Sequence, residues 1–114
     1  MDISEILGEE LVAVEFVQDY LQLRFDTPLL TLYAWPHVLL SEFSIAYGEP
    51  EYRNALCSLI GEKVEEATLD EGDSLTLKFE NDTVLALSLR EEELDGPEAG
   101  AYSPTGSVAD QMEF

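Results

Sequence analysis

Alternating apolar and polar residues along the chain predict short β-strands in two groups of three. Within each group, leucine, aromatic and β-branched side chains recur at every second position, which is the pattern of a strand with one buried face. The breaks between neighbouring strands are as short as hairpin turns, so each group predicts an antiparallel meander. The predicted strands cover residues 11–17, 20–26, 29–34, 63–70, 74–80 and 83–89.

The two groups also resemble each other in sequence. The segment LQLRF at 21–25 returns as LTLKF at 75–79, and LGE at 7–9 returns as IGE at 60–62. Self-similarity at an offset of about fifty residues is typical of a duplicated supersecondary unit. We therefore predict a β-rich α+β fold in which two helix-plus-three-stranded antiparallel meander repeats pack about a pseudo-two-fold axis around one core.

A short helix is predicted in front of each meander. The first begins with Asp2 as N-cap and Glu5 three residues on, a capping box, and Gly8 ends it. The second is opened by Pro50, which suits the first helical position, and is closed by Gly61. Its apolar positions follow helical spacing and predict one buried stripe. They are Tyr52, Ala55, Leu56, Leu59 and Ile60.

The 114-residue length predicts a single domain, because a half of about 50 residues would be marginal on its own. Two segments lie outside the predicted repeats. Alternation of Phe43, Ile45 and Tyr47 in the connector predicts one more short strand. The tail predicts a last hairpin from Ala101 into residues 108–114, with a loosely ordered terminus as the alternative. The predicted units are repeat 1 at 1–34, the connector at 35–48, repeat 2 at 49–89 and the tail at 90–114.

The charge limits the kind of partner. Aspartate and glutamate number 25 against five lysines and arginines, which gives a formal net charge of −20. Such a surface repels nucleic acid and anionic membranes and attracts basic proteins. Solubility alone is the other explanation of the acidity. With no apolar run of about 20 residues and no basic leader segment, we expect a cytoplasmic protein without membrane contact.

Few residues are candidates for chemistry. The one histidine, His37, and the one cysteine, Cys57, are twenty residues apart in sequence, and the apolar neighbours of Cys57 predict a buried, inert thiol. The segment Asp70–Asp73 holds three acids around a glycine, but a hairpin turn explains it better than a calcium loop does. The chain shows no phosphate-binding glycine loop, nucleophile elbow or zinc spacing. We predict no enzymatic activity, no cofactor and no metal.

Aromatic residues cluster around the connector. Packing between the repeats is one explanation, and a binding face for a basic partner, with aromatics flanked by acids, is the other. A connector that differs from the repeats it joins is a natural place for function. The candidate partner-binding residues are Tyr33, Trp35, His37, Glu42, Tyr47 and Glu49.

Three segments support a resemblance, namely the helix region at 49–61, the SLR motif at 88–90 and the GPEA motif at 96–99. In these the chain resembles a group of small, acidic, uncharacterised bacterial proteins in which a helix joins two meander copies. The resemblance covers most of the chain and brings no catalytic residues with it. By analogy of size and charge, such proteins are suspected immunity proteins of toxin systems.

The leading hypothesis is therefore a noncatalytic binding protein for a basic protein partner, with an immunity protein against a nuclease-type toxin as its sharpest form. One alternative is a small-molecule-binding protein or enzyme with a pocket near Trp35, His37 and Tyr47. Another is a structural or assembly module, and the predicted sheet edges allow either a monomer or a homodimer.

Overall fold

Short strands dominate the structure, a computed structural model that describes residues 1–94 and 96–114. The described residues form ten strands, one α-helix (α1, Tyr52–Cys57) and three 3-10 helices (Ser4–Ile6, Glu91–Glu93 and Val108–Asp110). In chain order the strands β1 to β10 are Leu11–Val17, Tyr20–Phe25, Leu29–Leu32, His37–Leu39, Ser44–Ile45, Val64–Asp70, Ser74–Phe79, Val84–Ser88, Gly100–Ser103 and Met112–Glu113.

The strands form two five-stranded antiparallel sheets. The first has the order β1-β2-β3-β9-β10, and the second has the order β5-β4-β8-β7-β6. Each sheet therefore contains one predicted meander, extended by a hairpin that comes from the other side of α1 in sequence. The β4–β5 hairpin of the connector completes the second sheet, and the β9–β10 hairpin of the tail completes the first.

The strands with the clearest alternation have the predicted buried faces. In β2, Leu21 and Leu23 are fully buried and Phe25 is nearly so, whereas Arg24 is exposed. The strand β7 follows the same rule in the second sheet. Alternation works in these two strands because one pleated face packs on the core while the other is at least partly exposed.

Both sheets contribute to one hydrophobic cluster. It contains Phe25 and Leu30 from the first sheet together with Leu77 and Phe79 from the second, all of them buried. A void of about 10 Å³, at the lower limit of the space that one water molecule needs, lies between inward leucines of the two sheets and Pro36. The predicted burial of the inward leucines and phenylalanines is correct.

The helices are shorter than predicted. The first is a single 3-10 turn, Ser4–Ile6, whose N-cap is Ile3 and not the predicted Asp2, and no side chain caps it. Asp2 instead accepts a hydrogen bond from the Ser4 N–H at 2.8 Å, so the predicted capping box is absent. The second, α1, ends at Cys57, and Ile60 beyond it is 45% exposed. The reason is that Ile60 already belongs to the turn that leads into Gly61, whose φ is +96°.

The connector and tail differ most from expectation. Cys57, predicted to be buried, is exposed, because it follows the buried Leu56 on α1 and so points to a different side of the helix. The strand β4 was not predicted, since it has only three residues and follows a proline. The predicted tail hairpin is present as β9–β10, and Gly100 within it is so tightly placed that a Cβ would lie 2.3 Å from the Thr31 carbonyl oxygen.

Candidate binding site

Four aromatic side chains from four different segments form a contiguous row, which we call the aromatic ladder: Phe16, Trp35, Tyr47 and Tyr52. The Trp35 and Tyr47 rings stack with centroids 4.3 Å apart and planes 11° from parallel. Phe16 lies 6.3 Å from Trp35 at 15°, and Tyr52 meets Tyr47 edge-on at 5.7 Å and 88°. Both geometries are favourable for aromatic pairs.

The helix α1 holds both ends of the aromatic ladder. At one end, Tyr52 is buried and its hydroxyl donates to the carbonyl of Pro36, which fixes the connector to the helix. At the other end, the guanidinium carbon of Arg53 lies 5.9 Å from the centroid of the Phe16 ring, within cation–π range. Tyr47 is 52% exposed, so the aromatic ladder is open to solvent in its middle.

Beside the ladder lies an open cleft of about 830 Å³, which we call the Tyr33–Trp35 cleft. It is lined by the segment that leaves β3 and enters β4 and by the β1–β2 turn. The end of β8 and the second 3-10 helix also line it. The lining residues are Gln18, Asp19, Tyr33, Ala34, Trp35, His37, Leu87, Ser88 and Glu93.

The surroundings of the cleft are electronegative. Burial raises the pKa of the Tyr33 hydroxyl, and the nearby carboxylates of Glu113 and Glu98 raise it further, because they oppose a second negative charge. Glu93 is oriented by the hydroxyl of Ser88, which donates to its carboxylate. The lining residues given by the described part of the chain include no lysine or arginine.

The structure brings some of the candidate residues together and separates others. Tyr33, Trp35 and His37 line the same cleft. Tyr47 and Glu49 line a neighbouring depression with Tyr52 and Arg53, and the Trp35–Tyr47 stack joins the two. The remaining candidate, Glu42, is exposed in the β4–β5 turn and lines neither depression.

Sequence reasoning missed Asp19 and Glu93 as lining residues. With 25 carboxylates in the chain, no sequence signal singles out these two. Sequence reasoning also missed Phe16, which is half-buried, packs against the core and continues the aromatic ladder. The alternation of β1 could not show this, because the contact depends on where the connector crosses the strand.

The described residues offer no evident place for a metal. Across 1–94 and 96–114, no group of three or more histidine, cysteine, aspartate or glutamate side chains is arranged to hold one. His37 is exposed on β4, opposite Ala86. None of the helices in these residues has the length and apolar character needed to cross a bilayer.

Comparison of the chain with protein-family models, with curated proteins and with solved structures found no match. The fold and the cleft therefore define the class at the level of a β-rich α+β protein with two antiparallel sheets and an acidic, aromatic-lined surface cleft. Any function has to be argued from these features themselves.

Proposed function

We propose that this chain is a noncatalytic binding protein for a basic protein partner. The observation that carries the proposal is the charge of −20 combined with an aromatic ladder that is exposed at Tyr47 and lies beside a cleft lined by Asp19 and Glu93. Aromatic anchors supply buried area, and an acidic surround selects and steers a cationic partner. Acidity that served only solubility would need no such aromatic surface.

The sharpest form of the proposal is an immunity protein for a nuclease-type toxin. A nuclease must carry lysine and arginine to bind phosphates, so its substrate-binding surface is complementary to an acidic protein. The support here is electrostatic and comes from the net charge of −20. The test is inhibition of a purified basic nuclease by this protein, with a charge-matched acidic protein of unrelated fold as the control.

The general proposal is tested with an arginine-rich peptide and a neutral peptide of equal length. Titration calorimetry at about 0.15 M and about 1 M salt compares conditions in which the Debye length falls from about 8 Å to about 3 Å. We expect only the cationic peptide to bind, and to bind more weakly at high salt. Absence of binding, or binding of equal strength at both salt concentrations, contradicts the proposal.

A small-molecule-binding protein or enzyme is a second candidate, and one observation favours it. The Tyr33–Trp35 cleft, at about 830 Å³, has the size of a ligand site, and it contains Trp35 and His37. Its openness to solvent argues for a ligand that stays attached to a larger partner. Binding of a free small molecule as tightly as a peptide would favour this second candidate.

We also propose that the two helix-plus-meander units are related by a pseudo-two-fold axis. The sheet orders support this, because in each sheet a meander is followed by a hairpin from the other half. Reciprocal bonds support it too. The Gly8 N–H donates to the Val64 carbonyl, and the Gly61 N–H donates to the Leu11 carbonyl, both at 2.8 Å. The axis would pass through the isolated bridge that joins Glu10 and Lys63.

In this proposal the repeating unit is larger than a helix and a meander, since each half includes its terminal hairpin. The units become 1–48 and 49–114, and each supplies two strands to the other's sheet. Expressed as separate chains, neither fragment should unfold cooperatively, and a mixture should give a folded one-to-one complex by light scattering and circular dichroism. A fragment that folds as a monomer would contradict the proposal.

A further inference from the structure

Two acidic residues, Asp19 and Glu93, line the Tyr33–Trp35 cleft. Most of the chain's few basic side chains make their contacts elsewhere. No ion pair within 1–94 and 96–114 includes Asp19 or Glu93. Three basic side chains are paired with other acids, and Arg53 lies over Phe16. The pairs join Arg24 to Glu15, Lys78 to Glu65, Glu66 and Asp82, and Arg90 to Asp73.

These two carboxylates share the cleft with aromatic residues. Asp19 lies in the β1–β2 turn of the first sheet, and Glu93 lies in the second 3-10 helix, where its carboxylate accepts from the Ser88 hydroxyl. Both acids are exposed, and both line the cleft together with Tyr33 and Trp35. A cation that entered here would have carboxylate oxygens and aromatic rings within the same cleft, and both kinds of group attract cations.

A guanidinium group suits these walls better than an ammonium group. It is planar, it stacks on aromatic rings, and its fork of N–H donors can reach carboxylates on more than one side. The chain already uses this contact, since Arg53 lies over Phe16 in the aromatic ladder next to the cleft. Tyr33 is 38% exposed, and so part of its ring remains open to a ligand.

We propose that the Tyr33–Trp35 cleft receives an arginine side chain of the basic partner, held between Asp19 and Glu93 against the aromatic wall. This inference rests on the proposed function, because it assigns the place where that partner is anchored. The cleft is open on one side, so an arginine that projects from a protein surface can enter it without a change in the fold.

The experiment uses the full chain and its only tryptophan, Trp35, as the reporter. An arginine-rich peptide and a lysine-rich peptide of equal length are titrated at about 0.15 M salt, and tryptophan fluorescence is recorded. We expect the arginine peptide to change the fluorescence and to bind more tightly than the lysine peptide. Equal affinity for the two peptides would overturn the assignment of a guanidinium ligand.

A double variant, Asp19→Asn with Glu93→Gln, tests the cleft itself. Its matched control, Asp70→Asn with Glu80→Gln, removes the same charge from exposed residues that do not line the cleft. We expect the cleft variant to weaken binding of the arginine peptide by at least about tenfold, because it removes the carboxylates proposed to contact the guanidinium directly. The control should change binding by less than about twofold, because charges that do not contact the ligand act on it only through a field screened over about 8 Å at this salt concentration. Circular dichroism verifies that both variants are folded.

The outcomes separate this inference from the proposed function. If the arginine peptide binds both double variants equally, the cleft is not the anchor, while binding of a basic partner still stands. If the peptide fails to bind the unmodified protein, both proposals are overturned. Loss of binding confined to the cleft variant supports both.

Discussion

Removing one oxygen atom from the molecule, in the variant Tyr52→Phe, tests how the aromatic ladder is held. Tyr52 is 2% exposed, and its hydroxyl donates to the carbonyl of the buried Pro36. Phenylalanine keeps the ring that packs edge-on against Tyr47 and loses only this bond. The change therefore isolates the polar link between α1 and the connector from the packing of the ring.

The expected loss of stability follows from the burial of both partners. A neutral hydrogen bond contributes about 0.5–1.5 kcal/mol net, and a buried carbonyl left without a donor raises the cost to about 1–3 kcal/mol. We expect the free energy of unfolding to fall by about 1–3 kcal/mol in Tyr52→Phe. The matched control is Tyr47→Phe, which removes a hydroxyl from a residue 52% exposed and should cost less than about 0.5 kcal/mol.

The variant also changes the response to alkali. Burial raises the pKa of Tyr52, and Tyr47 adds to the shift. In the unfolded chain a tyrosine ionises near pH 10, whereas in the folded protein Tyr52 keeps its proton to a higher pH. The contribution of Tyr52 to folding stability is therefore complete below about pH 10 and is lost as the pH rises towards the raised pKa. The slope is up to about 1.4 kcal/mol per pH unit for each such group. Burial raises the pKa of Tyr102 as well, with Glu5 adding to the shift, so the variant should keep part of the alkaline loss.

The assay is urea unfolding, followed by circular dichroism at about pH 8 and about pH 11, on either side of the tyrosine titration. We expect Tyr52→Phe to be less stable than the unmodified protein at the lower pH and to lose less on going to the higher one. An unchanged urea midpoint at the lower pH would refute the role of the hydrogen bond. An alkaline loss equal to that of the unmodified protein would refute the argument from the raised pKa.

Three further predictions, two on substitutions and one on a labelling reaction, concern the sheets and the surface. In Gly100→Ala the new Cβ would lie 2.3 Å from the Thr31 carbonyl oxygen, so urea unfolding should show a loss of more than about 1 kcal/mol, whereas Gly96→Ala, with open space around it, should be near neutral. Leu77→Ala removes a buried core side chain and should cost about 2–5 kcal/mol in the same assay. The exposed Cys57 should react with a thiol reagent in the native protein in one phase, and protection until unfolding would contradict its placement.

The sequence predicted the strands of the two meanders because the residues that determine each strand are close together in the chain. In β2 and β7 every second residue is a leucine or phenylalanine, and the turns between strands are short enough to fix which strands pair. Those two conditions determine the buried face and the nearest neighbours of a strand. The predicted turn residues agree with this, since Gly72 adopts a φ of +83° between β6 and β7.

The pairing of distant strands could not be predicted in the same way. Leu30 pairs with Tyr102 and Val38 pairs with Leu85. No local sequence pattern indicates either pairing. The strand β4 has only three residues, so its alternation is too brief to recognise. The candidate site has the same limit, because the aromatic residues were recognisable by their clustering, whereas the carboxylates opposite them come from segments far apart in sequence.

The long-range pairings also explain where the cleft lies. After β3 the chain leaves the first sheet and enters the second at β4, and four residues of this crossing line the cleft, namely Tyr33, Ala34, Trp35 and His37. Residues 33–36 of the crossing belong to no strand, and of its aromatic side chains Tyr33 is exposed and Trp35 is half-buried. The exchange of hairpins that joins the two halves thus creates the aromatic surface that we propose as the binding site.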